Sequence, residues 1–282
     1  FDACMEYWNK SLGLWNLLGD KKSVSRLHVK MARELWDVAG DKERASEHHR
    51  AALDILEKEP ESVELATLYE DIEHMLWRTG EVSKISPYIQ KAFQLSEKLG
   101  NFEILTECYN DMATLCWFSG EHAKTLEYGE QGLKIAMENN CIKAALRLYI
   151  NLANCYWFTG DFQKAFETNQ VGYDLARKVG EMFSLSFAGC SLGSCYLTIG
   201  EIQRSFSLFE DGLALSKRMK DTTGIANNLV FSGWGYELLG EWEKSLQCLM
   251  EAYDIAKKTE EYVRFVYCTL WLGELFKEME DY

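Results

Sequence analysis

The sequence predicts an all-α fold, a right-handed superhelical solenoid of about 14 helices stacked as hairpins. One observation is that glycines recur every forty residues, each directly before an acidic residue, at Gly40, Gly80, Gly120, Gly160, Gly200 and Gly240. A second is that apolar residues follow helical spacing between these glycines and further breaks about midway between them. Internal periods of this size indicate a repeat array.

The periodic glycines organise residues 1–282 as a single solenoid domain. We name the helix that ends at each periodic glycine A and the helix that follows it B. An unpaired B helix at 1–19 precedes six A–B hairpins, and a final A helix at 261–280 follows them. The hairpins are expected at 21–59, 61–99, 101–139, 141–179, 181–219 and 221–259. Because both end helices are unpaired, we expect the chain to be a fragment of a larger protein.

Superposing the repeats reveals a column of small residues twelve positions after each periodic glycine. Its members are Ala52, Ala92, Gly132, Gly172, Gly212 and Ala252. Glycine within a helix costs up to about 1 kcal/mol relative to alanine. Three glycines in one column therefore predict that another helix crosses there at close range.

One proline interrupts the pattern of the second hairpin. Ser86-Pro87 falls inside the expected B helix. Either the helix begins late, with Ser86 as its N-cap and Pro87 as its first residue, or it kinks at the proline.

The order of small, aromatic and Gly-acid positions resembles the tetratricopeptide repeat. In the fourth hairpin it reads Tyr149, Leu152, Ala153, Tyr156, Gly160-Asp161-Phe162, Ala165 and Gly172. The usual period of that family is 34, whereas this chain repeats every forty residues. The longer period resembles the repeat regions of prokaryotic signalling proteins, including transcription-activator sensor domains and signalling ATPases. The resemblance implies that the A helices line a concave groove that binds a partner.

Composition restricts the classes of partner. The formal net charge is −14, with 30 Lys and Arg against 44 Asp and Glu. This balance argues against nucleic acid, whose phosphates require clustered basic residues. No apolar run approaches the ~20 residues that span a bilayer. The 9 cysteines include no CxxC pair, which favours reduced thiols and a cytoplasmic location.

No motif indicates catalysis, so we expect no enzyme activity, cofactor or metal site. The chain lacks a P-loop, a dinucleotide-binding GxGxxG after a strand, HExxH and GxSxG. His48 and His49 are adjacent, about 100° apart around a helix, whereas helical metal ligands are three or four residues apart. We interpret both as solvated surface histidines.

The columns that the family resemblance assigns to the groove supply the candidate binding residues. Towards the N-terminus they are acidic, which favours a basic segment: Glu34, Glu70, Asp71, Glu107 and Asp111. Arg147, Asn151 and Asn154 share one helix face, where Arg can bind a carboxylate and Asn can hold a peptide backbone. The tryptophans among the candidates have an alternative role as packing between repeats. The candidates are Asn110, Arg147, Asn151, Asn154, Trp117, Trp157, Asn227, Trp234, Tyr267 and Trp271.

Three hypotheses for function remain open. The first is a non-catalytic scaffold that binds a protein or peptide, either a basic segment or a C-terminal carboxylate, in a regulatory protein. The second is a small-molecule sensor, for example for a sugar, in a signalling ATPase or transcription activator. The third is a self-association module that pairs through its terminal helices.

Overall fold

The computed structural model describes residues 1–37, 40–259 and 262–280. Within these ranges the chain forms fourteen α-helices and no strand. None of the helices in the described ranges is long and apolar enough to cross a membrane. The helices are α1 (Asp2–Leu18), α2 (Lys21–Asp37), α3 (Lys42–Leu56), α4 (Val63–Arg78), α5 (Ser86–Leu99), α6 (Phe102–Phe118), α7 (His122–Glu138), α8 (Ile142–Phe158), α9 (Phe162–Val179), α10 (Met182–Thr198), α11 (Ile202–Met219), α12 (Thr222–Leu238), α13 (Trp242–Thr259) and α14 (Tyr262–Glu280). The start predicted for the last helix, residue 261, lies outside the described residues.

The contacts between residues divide the chain into two compact units. The first consists of residues 1–77 and 81–108, and the second of residues 78–80 and 109–282. In the first unit, Met5 of α1 packs against Met31, Ala32 and Leu35 of α2. In the second, successive helices from α7 to α14 pack against one another as antiparallel neighbours joined by short turns.

The periodic glycines end the A helices because all six adopt positive φ, between 68° and 85°. A residue without a Cβ enters this left-handed region without strain. The acids that follow begin the B helices. Asp161, for example, is the N-cap of α9, and its carboxylate accepts a hydrogen bond from the backbone N–H of Lys164.

The small-residue column lies where A and B helices touch. A Cβ built on Gly132 would lie 2.6 Å from Cβ of Tyr109, and one on Gly172 would lie 2.8 Å from Cβ of Tyr149. Both distances are shorter than carbon atoms can approach without repulsion. The close crossing predicted from the sequence is therefore present in these two hairpins.

The helix that contains Pro87 begins late and does not need to kink. A 3₁₀ turn at Val82–Lys84 precedes α5, and the proline lies in the first turn of that helix. The N-cap is Ile85, so the assignment of the cap to Ser86 is wrong by one residue. Proline is tolerated there because the first N–H groups of a helix have no partner within the helix.

The interpretation of His48 and His49 as solvated residues is wrong. His49 is only 6% exposed. Nδ1 of His48 lies 2.7 Å from Nδ1 of His28, and their rings are tilted against each other. Burial lowers the pKa of His28 and of His49 to about 4, and it also lowers the pKa of His48. The three imidazoles are therefore neutral at physiological pH.

Substitution of Gly172 by alanine tests the close crossing. We expect Gly172→Ala to lower the free energy of unfolding by about 1–3 kcal/mol, because the new methyl group overlaps Tyr149. Gly273→Ala is the matched control, since a Cβ on this helical glycine meets no atom within 4 Å. We expect this variant to gain about 0.5–1 kcal/mol from helix propensity. Urea unfolding followed by circular dichroism measures both. Equal changes in the two variants would contradict the close crossing.

Acidification tests the buried histidines. Their folded pKa values lie below the ordinary 6.5, so the native state binds fewer protons than the unfolded state as pH falls from 6.5 to about 4. The free energy of unfolding is expected to fall across this range. We expect His49→Leu to lose less stability than the wild type over the same pH range, and His122→Gln, at an exposed position, to behave like the wild type. Thermal unfolding at a series of pH values is the measurement.

Candidate functional site

Three tryptophans on A helices of the second unit form a continuous aromatic row. The ring of Trp157 on α8 lies 6.1 Å, edge to face, from that of Trp234 on α12. The ring of Trp271 on α14 lies 5.8 Å from Trp234. We call Trp157, Trp234 and Trp271 the tryptophan row. All three are half-buried, and the indole N–H of Trp157 is buried without a hydrogen-bond partner among the described residues.

The tryptophan row rests on packed side chains that hold it in place. Trp157 packs against the cluster of Leu152, Tyr156, Ala165 and Cys195. Trp234 and Phe231 pack against Cys190, Leu197 and Phe209. The row is thus attached to the core on one side, and only part of each indole is available to a partner.

Three of the four asparagines of the candidate set, Asn110, Asn151 and Asn154, are paired with polar residues of neighbouring A helices. Nδ2 of Asn151 on α8 donates to Oδ1 of Asn110 on α6 at 2.8 Å and to Oγ1 of Thr114 at 3.2 Å. The hydroxyl of Ser191 on α10 donates to Oδ1 of Asn154 at 2.8 Å. Asn151 therefore uses its Nδ2 group for hydrogen bonds within the protein, and its carbonyl oxygen is the group that can bind a ligand. In Asn154 the carbonyl oxygen is used, and the Nδ2 group is the one that can bind a ligand.

The other candidates lie on the A helices α6, α8, α12 and α14, and each has different neighbours. Trp117 stands against His122 and Phe158, with ring centroids 4.9 and 4.8 Å away. Arg147 is half-buried on α8, one turn before Asn151. The backbone carbonyl of Asn227 accepts a weak hydrogen bond from the thiol of Cys190. Tyr267 is half-buried on α14, one turn before Trp271.

A group of carboxyls lies beside the C-terminal half of the tryptophan row. Glu237 follows Trp234 by three residues on α12, and Glu274 follows Trp271 by three on α14, so each pair shares a helix face. We call Glu237, Glu274 and Glu278 the carboxyl cluster. Burial, and then the charges of Glu278 and Glu274, raise the pKa of Glu237. One oxygen of Glu237 is buried without a hydrogen-bond partner among the described residues.

Sequence reasoning missed Glu237, although its column contained a signal. Three positions before the periodic glycine, the second to fifth hairpins carry Trp77, Trp117, Trp157 and Leu197, and the first carries Asp37. Glu237 departs from the four apolar residues that directly precede it in this column. Sequence reasoning also missed the roles of Thr114 and Ser191, because their partners are found only once the helices are in register.

The acidic residues predicted near the N-terminus are partly neutralised within the first unit. The guanidinium of Arg33 donates through Nε to Oδ1 of Asp71 at 2.7 Å, and its Nη2 lies 2.6 Å from the same oxygen. Asp71 is buried. Its charge therefore has a partner. In the carboxyl cluster, Glu274 pairs with Lys277 at 3.6 Å, whereas one oxygen of Glu237 has no hydrogen-bond partner among the described residues.

Comparison with known proteins identifies the repeat. Residues 146–168, from α8 into α9, match the family model for the tetratricopeptide repeat. No curated protein sequence matches the chain.

Several solved structures share the fold. NprR in complex with its cognate peptide NprX superposes with a TM-score of 0.69 at 14% identity, covering 99% of this chain and 85% of NprR. A Rap protein complexed with Competence and Sporulation Factor gives a TM-score of 0.65 at 14% identity, covering 91% and 76%. The STAND ATPase with a tetratricopeptide repeat sensor from Pyrococcus horikoshii gives 0.52 at 15%, covering 89% of this chain and 42% of the ATPase. The all-α hairpin fold of this family is thereby confirmed.

Replacement of Glu237 by glutamine tests the repulsion in the carboxyl cluster. The folded pKa of Glu237 is raised, so the native state is destabilised as pH rises from the ordinary value of 4.5 through the raised pKa. Glu237→Gln removes this loss, and we expect a higher Tm than the wild type at pH 7 and no gain at pH 4. Glu210→Gln, at an exposed position on α11, is expected to leave Tm unchanged at both. A Glu237→Gln variant less stable than the wild type at pH 7 would contradict the destabilisation of this carboxylate by its burial and by the charges of Glu278 and Glu274.

Proposed function

We propose that this chain, a repeat protein of the tetratricopeptide type, is a non-catalytic scaffold that binds a peptide or a peptide-like segment of a partner protein. The binding surface is the A-helix face of α8, α10, α12 and α14. The observation that carries the proposal is the tryptophan row beside the carboxyl cluster. Partly buried indoles next to charged groups are typical of the residues that dominate binding energy at protein interfaces.

The carboxyl cluster selects a basic side chain. A lysine or arginine of the partner that reaches Trp234 and Trp271 gains about 0.5–2 kcal/mol from the faces of the indoles. It also offsets the burial of the Glu237 carboxylate and the charges of Glu278 and Glu274, which together raise the pKa of Glu237. The sequence favoured a basic segment for the acidic N-terminal lining. The structure supports the same partner chemistry for a different part of the chain.

Polar groups next to the tryptophan row suit a peptide backbone. The hydroxyl of Ser191 donates to the carbonyl oxygen of Asn154, so the Nδ2 group of Asn154 is the one that donates to a peptide carbonyl. The hydrogen bond from Ser191 also fixes the orientation of the amide, which lowers the entropic cost of binding. Arg147, farther along α8, remains the proposed anchor for a carboxylate, as the sequence suggested.

The fold of NprR adds support of a general kind. That protein is known in complex with its cognate peptide. A comparable use of this fold by our chain is consistent with the surface chemistry of α8 to α14. We carry over no residue of that site.

Selection from a random peptide library tests the proposal. We expect the enriched peptides to contain Lys or Arg next to an aromatic or aliphatic residue. The affinity of the enriched peptides, measured by fluorescence anisotropy, is expected to fall by about tenfold or more in Trp234→Ala and in Glu237→Gln. The matched control is Trp15→Ala on α1, where the indole is 38% exposed and lies outside the tryptophan row. This variant is expected to bind like the wild type.

Other outcomes distinguish the remaining hypotheses. Enrichment of acidic peptides, or equal losses in Trp15→Ala and Trp234→Ala, would contradict the proposed surface. A rise in Tm with a metabolite library but not with peptides would favour a small-molecule sensor. A dimer at high concentration in light scattering would favour self-association.

A further inference from the structure

The fifth hairpin departs from the repeat at the crossing of its A and B helices. Eleven residues before the periodic glycine, three hairpins carry a tyrosine, namely Tyr69, Tyr109 and Tyr149. The equivalent residue on α10 is Gly189. The fifth hairpin therefore lacks the aromatic ring that three hairpins carry, whereas the first and sixth have Val29 and Leu229 at this position.

The place of the missing ring is an open cleft. A cavity of about 390 Å³ lies between α9 and α11, with α10 as its floor. Leu208 and Gly212 of α11 line it, and Tyr173 of α9 lines the opposite side. A Cβ on Gly189 would meet Tyr173 at 3.3 Å, so this ring covers part of the vacated space.

The lining of the cleft corresponds to the surroundings of the tyrosines elsewhere. The ring of Tyr109 lies 6.4 Å from that of Tyr128, eight residues after the periodic glycine. Leu208 occupies the same position in the fifth hairpin. Gly212 corresponds to Gly132 and Gly172, which touch Tyr109 and Tyr149. The cleft is thus shaped by a packing arrangement that accepts a phenol ring elsewhere in the chain.

The size and access of the cleft suit an external ligand. An apolar protein cavity of about 150 Å³ is sufficient for benzene, and this cleft is larger. Asp211, Ala214 and Arg218 line the cleft and are exposed, so it is open to solvent. A side chain attached to a backbone can therefore enter from the surface.

Basic residues are concentrated around the cleft, although Asp211 lines it and the chain as a whole is acidic. Exposed basic residues lie at the C-terminal ends of α9 and α11, and Arg218 lines the cleft itself. We call them the basic rim: Arg177, Lys178, Lys217, Arg218 and Lys220. Arg177 pairs with Asp174, which leaves the rim with an excess of positive charge.

We propose that the cleft between α9 and α11 binds a tyrosine side chain flanked by acidic residues in a partner protein. The phenol ring takes the place that Gly189 leaves vacant, and its hydroxyl donates to the carboxylate of Asp211. The flanking acidic residues of the partner face the basic rim. This site lies between two B helices, with α10 as its floor, and shares no named residue with the A-helix face proposed above.

The ring site is tested with p-cresol, the side-chain analogue of tyrosine. We expect p-cresol to give saturation-transfer NMR signals with the wild-type chain and to raise its Tm in a concentration-dependent way. Gly189→Tyr places a tyrosine where the second, third and fourth hairpins carry one. Ala214→Trp places a ring at the exposed edge of the cleft. Both are expected to abolish the signals, and Ala214→Trp serves where Gly189→Tyr disturbs folding. Signals of equal strength in wild type and Ala214→Trp, or none in the wild type, would overturn the site.

Tyr149→Gly provides the reverse experiment. It removes the corresponding ring from the fourth hairpin and should create a second site for p-cresol, so that the stoichiometry rises from one to two. If this variant is unstable, the readout is the rise in its Tm when p-cresol is added. No recovery and no second site would contradict the inference that the cleft is a vacated tyrosine position.

The preference for acidic flanks is tested with two capped tripeptides. Acetyl-Glu-Tyr-Glu-amide is expected to bind at least about tenfold more tightly than acetyl-Lys-Tyr-Lys-amide, a difference of about 1.4 kcal/mol. Arg218→Glu is expected to reduce this ratio without abolishing p-cresol binding. Equal affinities for the two tripeptides would overturn the inference that acidic residues flank the tyrosine of the partner. Tighter binding of the lysine peptide would overturn it as well and would indicate basic flanking residues.

Discussion

The close crossing of A and B helices sets the geometry of the repeats. Where Gly132 meets Tyr109 and Gly172 meets Tyr149, the backbone of the B helix lies against the first carbon of an A-helix side chain. A short separation of this kind leaves little freedom in the position of one helix relative to the other. Similar hairpins then stack at similar spacing, and equivalent residues of successive A helices become neighbours.

This stacking explains why the polar contacts join residues about forty positions apart. Asn151 bonds to Asn110, Ser191 to Asn154, and Asn228 to Ser186, at separations of 41, 37 and 42 residues. Each bond links one A helix to the next. These polar groups pair across the repeat interface, which favours one register between neighbouring hairpins.

The tryptophan row requires a helix with small side chains at its centre. Trp157 on α8 reaches Trp234 on α12 past the intervening helix α10. On the predicted groove face, α10 carries Ser191 and Ser194, both buried. Larger side chains at these two positions would occupy the space above α10. The row therefore depends on how α8, α10, α12 and α14 pack together, and the local sequence around any one tryptophan does not specify it.

The periodicity of the sequence predicted the helices, the turns and the close crossings, because each is set by residues within one hairpin. Gly160 and its counterparts specify their turns by φ alone. Interactions between hairpins were harder to predict from the sequence. The hydrogen bond between Asn151 and Asn110 and the burial of His49 follow from register and depth, which a column of residue types does not contain. Glu237 was visible in its column, but its raised pKa follows from its burial and from the charges of Glu278 and Glu274 on α14, which the column does not contain.

In a repeat array, a departure from a column carries more information than agreement with it. The column consensus already satisfies the packing of the hairpin, so a different residue is not needed for the fold. Gly189 stands where three other hairpins carry a tyrosine and leaves a volume unfilled. Glu237 stands where four other hairpins carry Trp or Leu, and one of its carboxylate oxygens is buried without a hydrogen-bond partner among the described residues. Both departures lower the consistency between local sequence and fold, and such conflicts are expected where a protein binds something else. The ligand proposed for the first site is a ring and the ligand proposed for the second is a cation, so the two departures favour ligands of different chemistry on different helices.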